Sequence, residues 1–131
     1  MCRSVHDEID LKATPRLAYR TMMDSRAHAR FTGAPARIDP VVGGKFSAGG
    51  YISGFNLDLV PGKRIVQAWR GSDWPKGAFS LVSFVFRPRG KGTRLIFDQR
   101  GIPDGIESGV TRAEWTRYYW DPLRRHFGAR S

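Results

Sequence analysis

Residues 80–100 read SLVSFVFRPRGKGTRLIFDQR, and their alternation decides the fold. Ser80, Val82, Phe84 and Phe86 share one parity; Leu81, Ser83, Val85 and Arg87 share the other. After a loop at Arg89-Gly90-Lys91-Gly92, Leu95, Phe97 and Gln99 alternate with Arg94, Ile96, Asp98 and Arg100. A period of two marks a strand with one buried face. Arginines on one face and bulky apolar groups on the other predict an antiparallel sheet with one wet side. Asp98 falls on the arginine side and is expected to pair with Arg100 or Arg87.

The pattern extends upstream. Ile65, Gln67 and Trp69 alternate with Arg64, Val66 and Arg70. Val60-Pro61-Gly62-Lys63 has Pro and Gly where a type II turn needs them, so residues 53–60 and 63–70 should form a hairpin. Gly43-Gly44 and Gly49-Gly50 punctuate the preceding strands. At the start of the chain, Ile9, Leu11 and Ala13 alternate with Asp10 and Lys12, which predicts a strand from Val5 to Ala13. Thr14-Pro15 then supplies an N-cap and a favoured first helical residue. The helix should run to Met23 with Leu17, Ala18 and Met22 on its buried side. Asp24-Ser25 caps a second short helix, Arg26 to Phe31, which Gly33 ends.

Downstream, Thr111 and Glu114 have capping-box spacing. Trp115, Tyr119, Leu123 and Phe127 step by four along one side, with Tyr118 and Pro122 adjacent. Pro122 cannot donate to the preceding turn, so a kink is expected. At ~1.5 Å per residue the helix is about 25 Å long, enough to cross a curved sheet.

The order is strand, two short helices, antiparallel strands, long helix: an α+β arrangement with a curved sheet wrapped around its last helix. One domain is expected, since 131 residues is ordinary domain length. Hydrophobic residues make up 40% and charged ones 26%, a globular mix rather than a disordered one. No apolar window approaches the ~20 residues of a membrane span, and the N-terminal residues do not read as a signal peptide. The lone Cys2 can form no internal disulfide and reads as inert in a frayed terminus, so a cytoplasmic location is expected. Lys and Arg number 22 against 12 Asp and Glu, a net charge of +10. That balance suits an acidic protein partner. Nucleic acid is disfavoured, because the arginines are scattered and no RNA-recognition signature occurs.

Chemical motifs fail on inspection. Gly43-Gly44-Lys45 lacks the upstream Gly and following Ser or Thr of a phosphate loop, and Gly90-Lys91-Gly92 lacks the latter. His6, His28 and His126 have no metal-ligand spacing. Neither a metal nor a cofactor is expected, and no catalytic residue can be named.

Several motifs are collinear: Phe31-Thr32-Gly33-Ala34-Pro35-Ala36, Gly43-Gly44-Lys45-Phe46, Ile52-Ser53-Gly54, Leu59-Val60-Pro61, Ile65-Val66, Trp69-Arg70, Trp74-Pro75, Gly101-Ile102-Pro103, Trp115-Thr116-Arg117-Tyr118-Tyr119 and Phe127-Gly128. In that order the chain resembles the C-terminal domain of the activator of heat-shock protein 90 ATPase and its stand-alone bacterial relatives, within the START-like SRPBCC superfamily. Glu114 departs from the pattern, since relatives commonly have Gly before the Trp. The resemblance implies a helix-grip fold and an internal apolar cavity. It covers the START-like module alone, not the second, N-terminal domain of the eukaryotic activator.

The candidate cavity residues are Gln67, Trp69, Phe84, Phe97, Gln99, Trp115 and Tyr119, all predicted to point inward. They form either a solid core or a site for a small apolar or aromatic ligand; the two glutamines and the tyrosine hydroxyl favour the second. Trp74, on the loop after Trp69, is a candidate for the cavity entrance, or else folds back over its mouth. Arg117, Arg124 and Arg125 lie off the aromatic line of the helix, with Arg112 and Arg130 nearby. They either solvate the helix back or dock an acidic surface such as a chaperone's. Three functions are therefore carried forward: ligand-binding module, co-chaperone, and an enzyme of cyclase or hydrolase type using the same cavity.

Overall fold

Strand β1 (Arg3–Leu11) leads through Thr14 into α1 (Pro15–Met23), whose first turn is closed by the Leu17 N–H donating to Thr14 Oγ1 at 3.2 Å. Asp24 ends that helix and caps α2 (Ser25–Thr32) by accepting from the Ala27 N–H at 2.9 Å. Gly33 closes α2 in the left-handed conformation, φ 76°. Ala18, Thr21, Met22 and Met23 form the buried side of α1; Leu17, expected there, is exposed, because it sits at the solvent edge of the first turn. The computed structural model describes residues 3–106 and 111–128. Cys2 and Arg130 lie outside the described residues.

Six more strands follow: β2 (Ala36–Ile38), β3 (Lys45–Ala48), β4 (Ile52–Val60), β5 (Arg64–Gly71), β6 (Ser80–Arg89) and β7 (Gly92–Ile102). They join β1 in one antiparallel sheet of order β1-β7-β6-β5-β4-β3-β2. The first strand thus pairs with the last and forms one edge of the sheet. The β4–β5 turn is the expected one: the Lys63 N–H donates to Val60 O at 2.8 Å, with Gly62 at φ 74°.

Inward residues match the alternation: Ile65, Gln67, Trp69, Val82, Phe84, Phe86, Leu95, Phe97 and Gln99 are all buried. The outer face departs from the wet surface expected. Lys45, Phe55, Ala68, Leu81 and Arg100 lie directly opposite one another across β3 to β7. Phe55 and Leu81 in that row are exposed, as are Phe79 and Leu57. Leu57 is the extra residue of a bulge, since Asn56 and Asp58 pair with successive residues of β5. Asp98 also differs from expectation: it accepts from His6 Nδ1 at 2.7 Å, because β1 rather than an arginine lies beside it.

The C-terminal helix begins at Thr111, whose hydroxyl oxygen accepts from the Glu114 N–H at 3.1 Å. It runs as α3 (Arg112–Trp115), a π turn (Thr116–Trp120) and α4 (Asp121–Gly128). The π turn holds one residue more than an α turn and ends just before Pro122, where an α-helix would need the N–H that proline lacks. Its consequence is that Trp120, off the expected line, is 1% exposed, while Tyr118 is 56% exposed. Trp115 and Trp120 both pack on Phe97, at ring separations of 4.3 and 5.1 Å. No helix among the described residues is long and apolar enough to cross a membrane.

Candidate functional site

A pocket of about 440 Å³ opens between the end of α2, the β3–β4 turn, β5 and the C-terminal helix. Thr32 and Ala34 form one rim, Ala48, Gly49, Tyr51 and Ile52 the second, and Trp69, Glu114, Trp115, Tyr118 and Tyr119 the floor and far wall. Local chemistry places two of these, Gly49 and Tyr51. Gly49 takes φ 65° in the hairpin turn, a conformation that costs glycine nothing. Gly71 lets the Tyr51 ring lie against the β5 backbone: a Cβ there would fall 2.4 Å from Tyr51 Cζ.

The expected cavity residues divide into three groups. Trp69, Trp115 and Tyr119 line the pocket. Gln67 and Phe84 line a void of only about 20 Å³ beneath it, too small for an organic ligand. Phe97 and Gln99 are fully buried and line neither. The glutamines have internal partners instead. Gln67 Nε2 donates to Asn56 Oδ1 at 3.1 Å. Gln99 Nε2 donates to Ser80 Oγ at 3.0 Å, and Gln99 Oε1 accepts from Trp115 Nε1 at 2.9 Å. Trp74 is 4% exposed, lies edge-on to Trp69 at 5.5 Å and does not line the pocket. Arg117, Arg124 and Arg125 are exposed on the helix back, with Arg117 over the Tyr118 ring at 5.5 Å and Arg124 3.6 Å from Asp121.

Sequence reasoning missed His28 and Phe31, which back the Tyr119 wall at 5.5 and 5.9 Å. His28 Nδ1–H donates to Met22 O at 2.9 Å, so Nε2 is the acceptor for the Tyr119 hydroxyl at 3.0 Å. Burial holds the His28 pKa below the usual imidazole value and pushes the Tyr119 phenol up; both groups are neutral, as this bond requires. The available signal was helical spacing, since His28 and Phe31 are three apart on α2 and must share a face.

A sheet that grips its last helix, with an apolar pocket between the two, defines a START-like helix-grip protein. Residues 12–128 match the family model described as Activator of Hsp90 ATPase homolog 1-like protein, and the chain belongs to that family. It is 38% identical over 126 residues to the human activator of 90 kDa heat shock protein ATPase homolog 1, covering 92% of this chain and 37% of the human protein. Against the Dictyostelium discoideum activator homolog it is 36% identical over 121 residues, covering 90% and 31%. The chain thus spans about a third of the curated relatives it matches. Among solved structures, an HSP90 activator from Plasmodium falciparum superposes with a TM-score of 0.78 at 26% identity, covering 94% of this chain and 91% of that one.

Proposed function

We propose that this protein is a cytoplasmic START-like module that docks on an Hsp90-class chaperone through its surface. Family membership across residues 12–128 carries the reading, and the outer face of the sheet fits it. Phe55, Leu57, Phe79 and Leu81 are exposed there, with Lys45 and Arg100 at the two ends of the row and Arg70 over the Phe79 ring at 5.8 Å. Apolar groups grouped on a surface and rimmed by charge mark an interaction site. The basic rim and the +10 net charge oppose a second copy of this chain and favour an acidic partner. The helix-back arginines Arg117, Arg124 and Arg125 are the rival docking face.

The test is titration of the purified Hsp90 of the same organism, with chaperone ATPase rate as a second readout. Phe79→Ser with Leu81→Glu should abolish binding, and rising salt should weaken it. Loss only in the Arg117→Glu, Arg124→Glu, Arg125→Glu variant would move the interface to the helix back. No binding at about 100 μM chaperone, a Kd weaker than most regulatory contacts, would sink the reading.

A second reading is favoured by the pocket: a small, largely apolar ligand lies between the C-terminal helix and the sheet. The volume of about 440 Å³ falls within the range of small-molecule sites.

A further inference from the structure

We propose that the outward side of α1 and α2 docks an acidic polypeptide segment, its carboxylates on the pairs Arg16–Arg20 and Arg26–Arg30 and an apolar side chain on Leu17. This is independent of the chaperone reading, which uses the outer face of the sheet.

The two helices turn Ala18, Met22, His28 and Phe31 inward. Their other side is left to Arg16 and Arg20 on α1 and Arg26 and Arg30 on α2, all exposed. Each pair is four residues apart, so its members are surface neighbours. Elsewhere arginines find carboxylates: Arg64 lies 2.6 Å from Asp58, and Arg112 lies 3.2 Å from Asp7. Among the described residues, none of these four makes an ion pair. Asp24, the one acid between Pro15 and Thr32, accepts from the Ala27 N–H and caps α2. Like charges at i and i+4 weaken a helix, and short helices have little margin of their own. Two such pairs in consecutive helices break a local rule that nothing within the fold offsets, a pattern expected at functional sites. The spacing defines what fits. Four residues of helix rise ~6 Å, and alternate residues of an extended chain stand ~6.6–6.8 Å apart on one side. Acidic residues at every second position of a peptide therefore meet both members of a pair. Leu17, beside Arg16 and three residues from Arg20, is 40% exposed. A polypeptide can offer it an apolar side chain together with carboxylates, whereas a nucleic-acid backbone offers phosphate and sugar. One leucine is too little apolar area to hold a bilayer surface. The β4–β5 turn extends the basic surface: an added Cβ on Gly62 would fall 3.7 Å from Arg16 Cα, and exposed Lys63 follows it.

A net charge of +10 attracts any polyanion at long range, so the test separates this face from the general field. A fluorescein-labelled peptide of four Glu-Leu-Glu-Ser repeats is titrated with the intact protein at ~0.15 M salt, where screening reaches only about 8 Å. Fluorescence anisotropy reads binding. Arg16→Gln with Arg20→Gln, and Arg26→Gln with Arg30→Gln, should each weaken it about tenfold. Lys76→Gln with Lys91→Gln removes the same charge from exposed positions on other loops and should change it less than about threefold. Leu17→Ser should weaken this peptide about threefold and leave a Glu-Ser repeat of equal length and charge unchanged. Far-UV circular dichroism checks the fold of each variant, and amide shifts in residues 15–32 of the wild type report docking with no substitution at all. The proposal is overturned by no binding at about 100 μM protein, by amide shifts that leave residues 15–32 unmoved, or by equal losses in the arginine and lysine variants. It is also overturned if oligothymidine or phosphatidylserine vesicles bind this face more tightly than the peptide, or if Leu17→Ser affects both peptides alike. Neither result touches the chaperone reading, whose variants Phe79→Ser and Leu81→Glu leave the four arginines in place.

Discussion

Trp115 ties the pocket wall to the core through one chain of bonds. Its indole N–H reaches Gln99 Oε1, Gln99 Nε2 donates to Ser80 Oγ, and the Ser80 hydroxyl donates to Trp69 O at 3.1 Å. Trp115→Ala removes the ring that packs on Phe97 and Trp69 and should cost about 3–5 kcal/mol. Gln99→Leu keeps the volume but strands the indole N–H and removes the donor to Ser80 Oγ, and should cost about 1–3 kcal/mol. Urea denaturation checks both; an unchanged Gln99→Leu midpoint would show that the chain of bonds adds nothing to stability. The histidines act with opposite sign. The His6 pKa is raised, first by its bond to Asp98 and then by its bond to Glu8. Its stabilisation is complete below the unfolded value of 6.5 and is lost as pH rises through the raised folded value. Glu8, lowered chiefly by His6, contributes above its unfolded value of 4.5 and loses that contribution as pH falls through the lowered one. Buried His28 is lowered, so acidification below 6.5 protonates the unfolded chain first and opposes folding. The deficit of His6→Gln relative to wild type, read as urea midpoints, should therefore be larger near pH 5.5 than near pH 8; a difference independent of pH would leave the His6 pairs without an ionic role.

At the scale of elements, the π turn decides what the C-terminal helix buries. Trp115, Trp120 and Leu123 are all buried, a spacing of five and then three that an unbroken α-helix cannot keep on one face. Removing one residue from the turn restores ordinary spacing, with Trp115, Tyr119, Trp120, Leu123 and Phe127 falling at i, i+3, i+4, i+7 and i+11. Deletion of exposed Arg117 should therefore leave a helical, cooperatively unfolding protein. Loss of the cooperative urea transition would show that the π geometry itself, rather than its register, is required. The strands were legible because period-two alternation with a one-sided core is unambiguous, as in Val82, Phe84 and Phe86. The caps were legible because Thr14, Asp24 and Thr111 precede helices with nothing else to cap. The sequence marked the irregularity at Pro122, but its form was not readable, because proline removes a bond without saying whether the chain will kink or insert a residue. Trp120 was lost to that ambiguity, and Leu57 to the β4 bulge.

At the scale of the molecule, the pocket was only half legible. Inward-pointing residues can be read from parity, but whether they touch or stand apart depends on how far the helix lies from the sheet, which no local pattern records. Trp69, Trp115 and Tyr119 reach the opening while Phe97 and Gln99 sit behind it. Charge, by contrast, is a global property that the sequence states outright, and it makes the last prediction. A chain of 131 residues folds to a radius of gyration of about 14 Å, so most pairs of like charges lie closer than the ~30 Å screening length at 0.01 M salt and farther than the ~8 Å at 0.15 M. Raising salt through that range removes self-repulsion from a net charge of +10. It also weakens exposed pairs such as Arg64–Asp58 at 2.6 Å and Arg94–Asp10 at 2.7 Å, which water already screens. The long-range term involves every cation and these pairs are wet, so the repulsion dominates. The thermal midpoint should rise between about 0.01 and 0.15 M sodium chloride. A midpoint that falls would mean that local ion pairs, and not the net charge, set the electrostatic balance of the folded state.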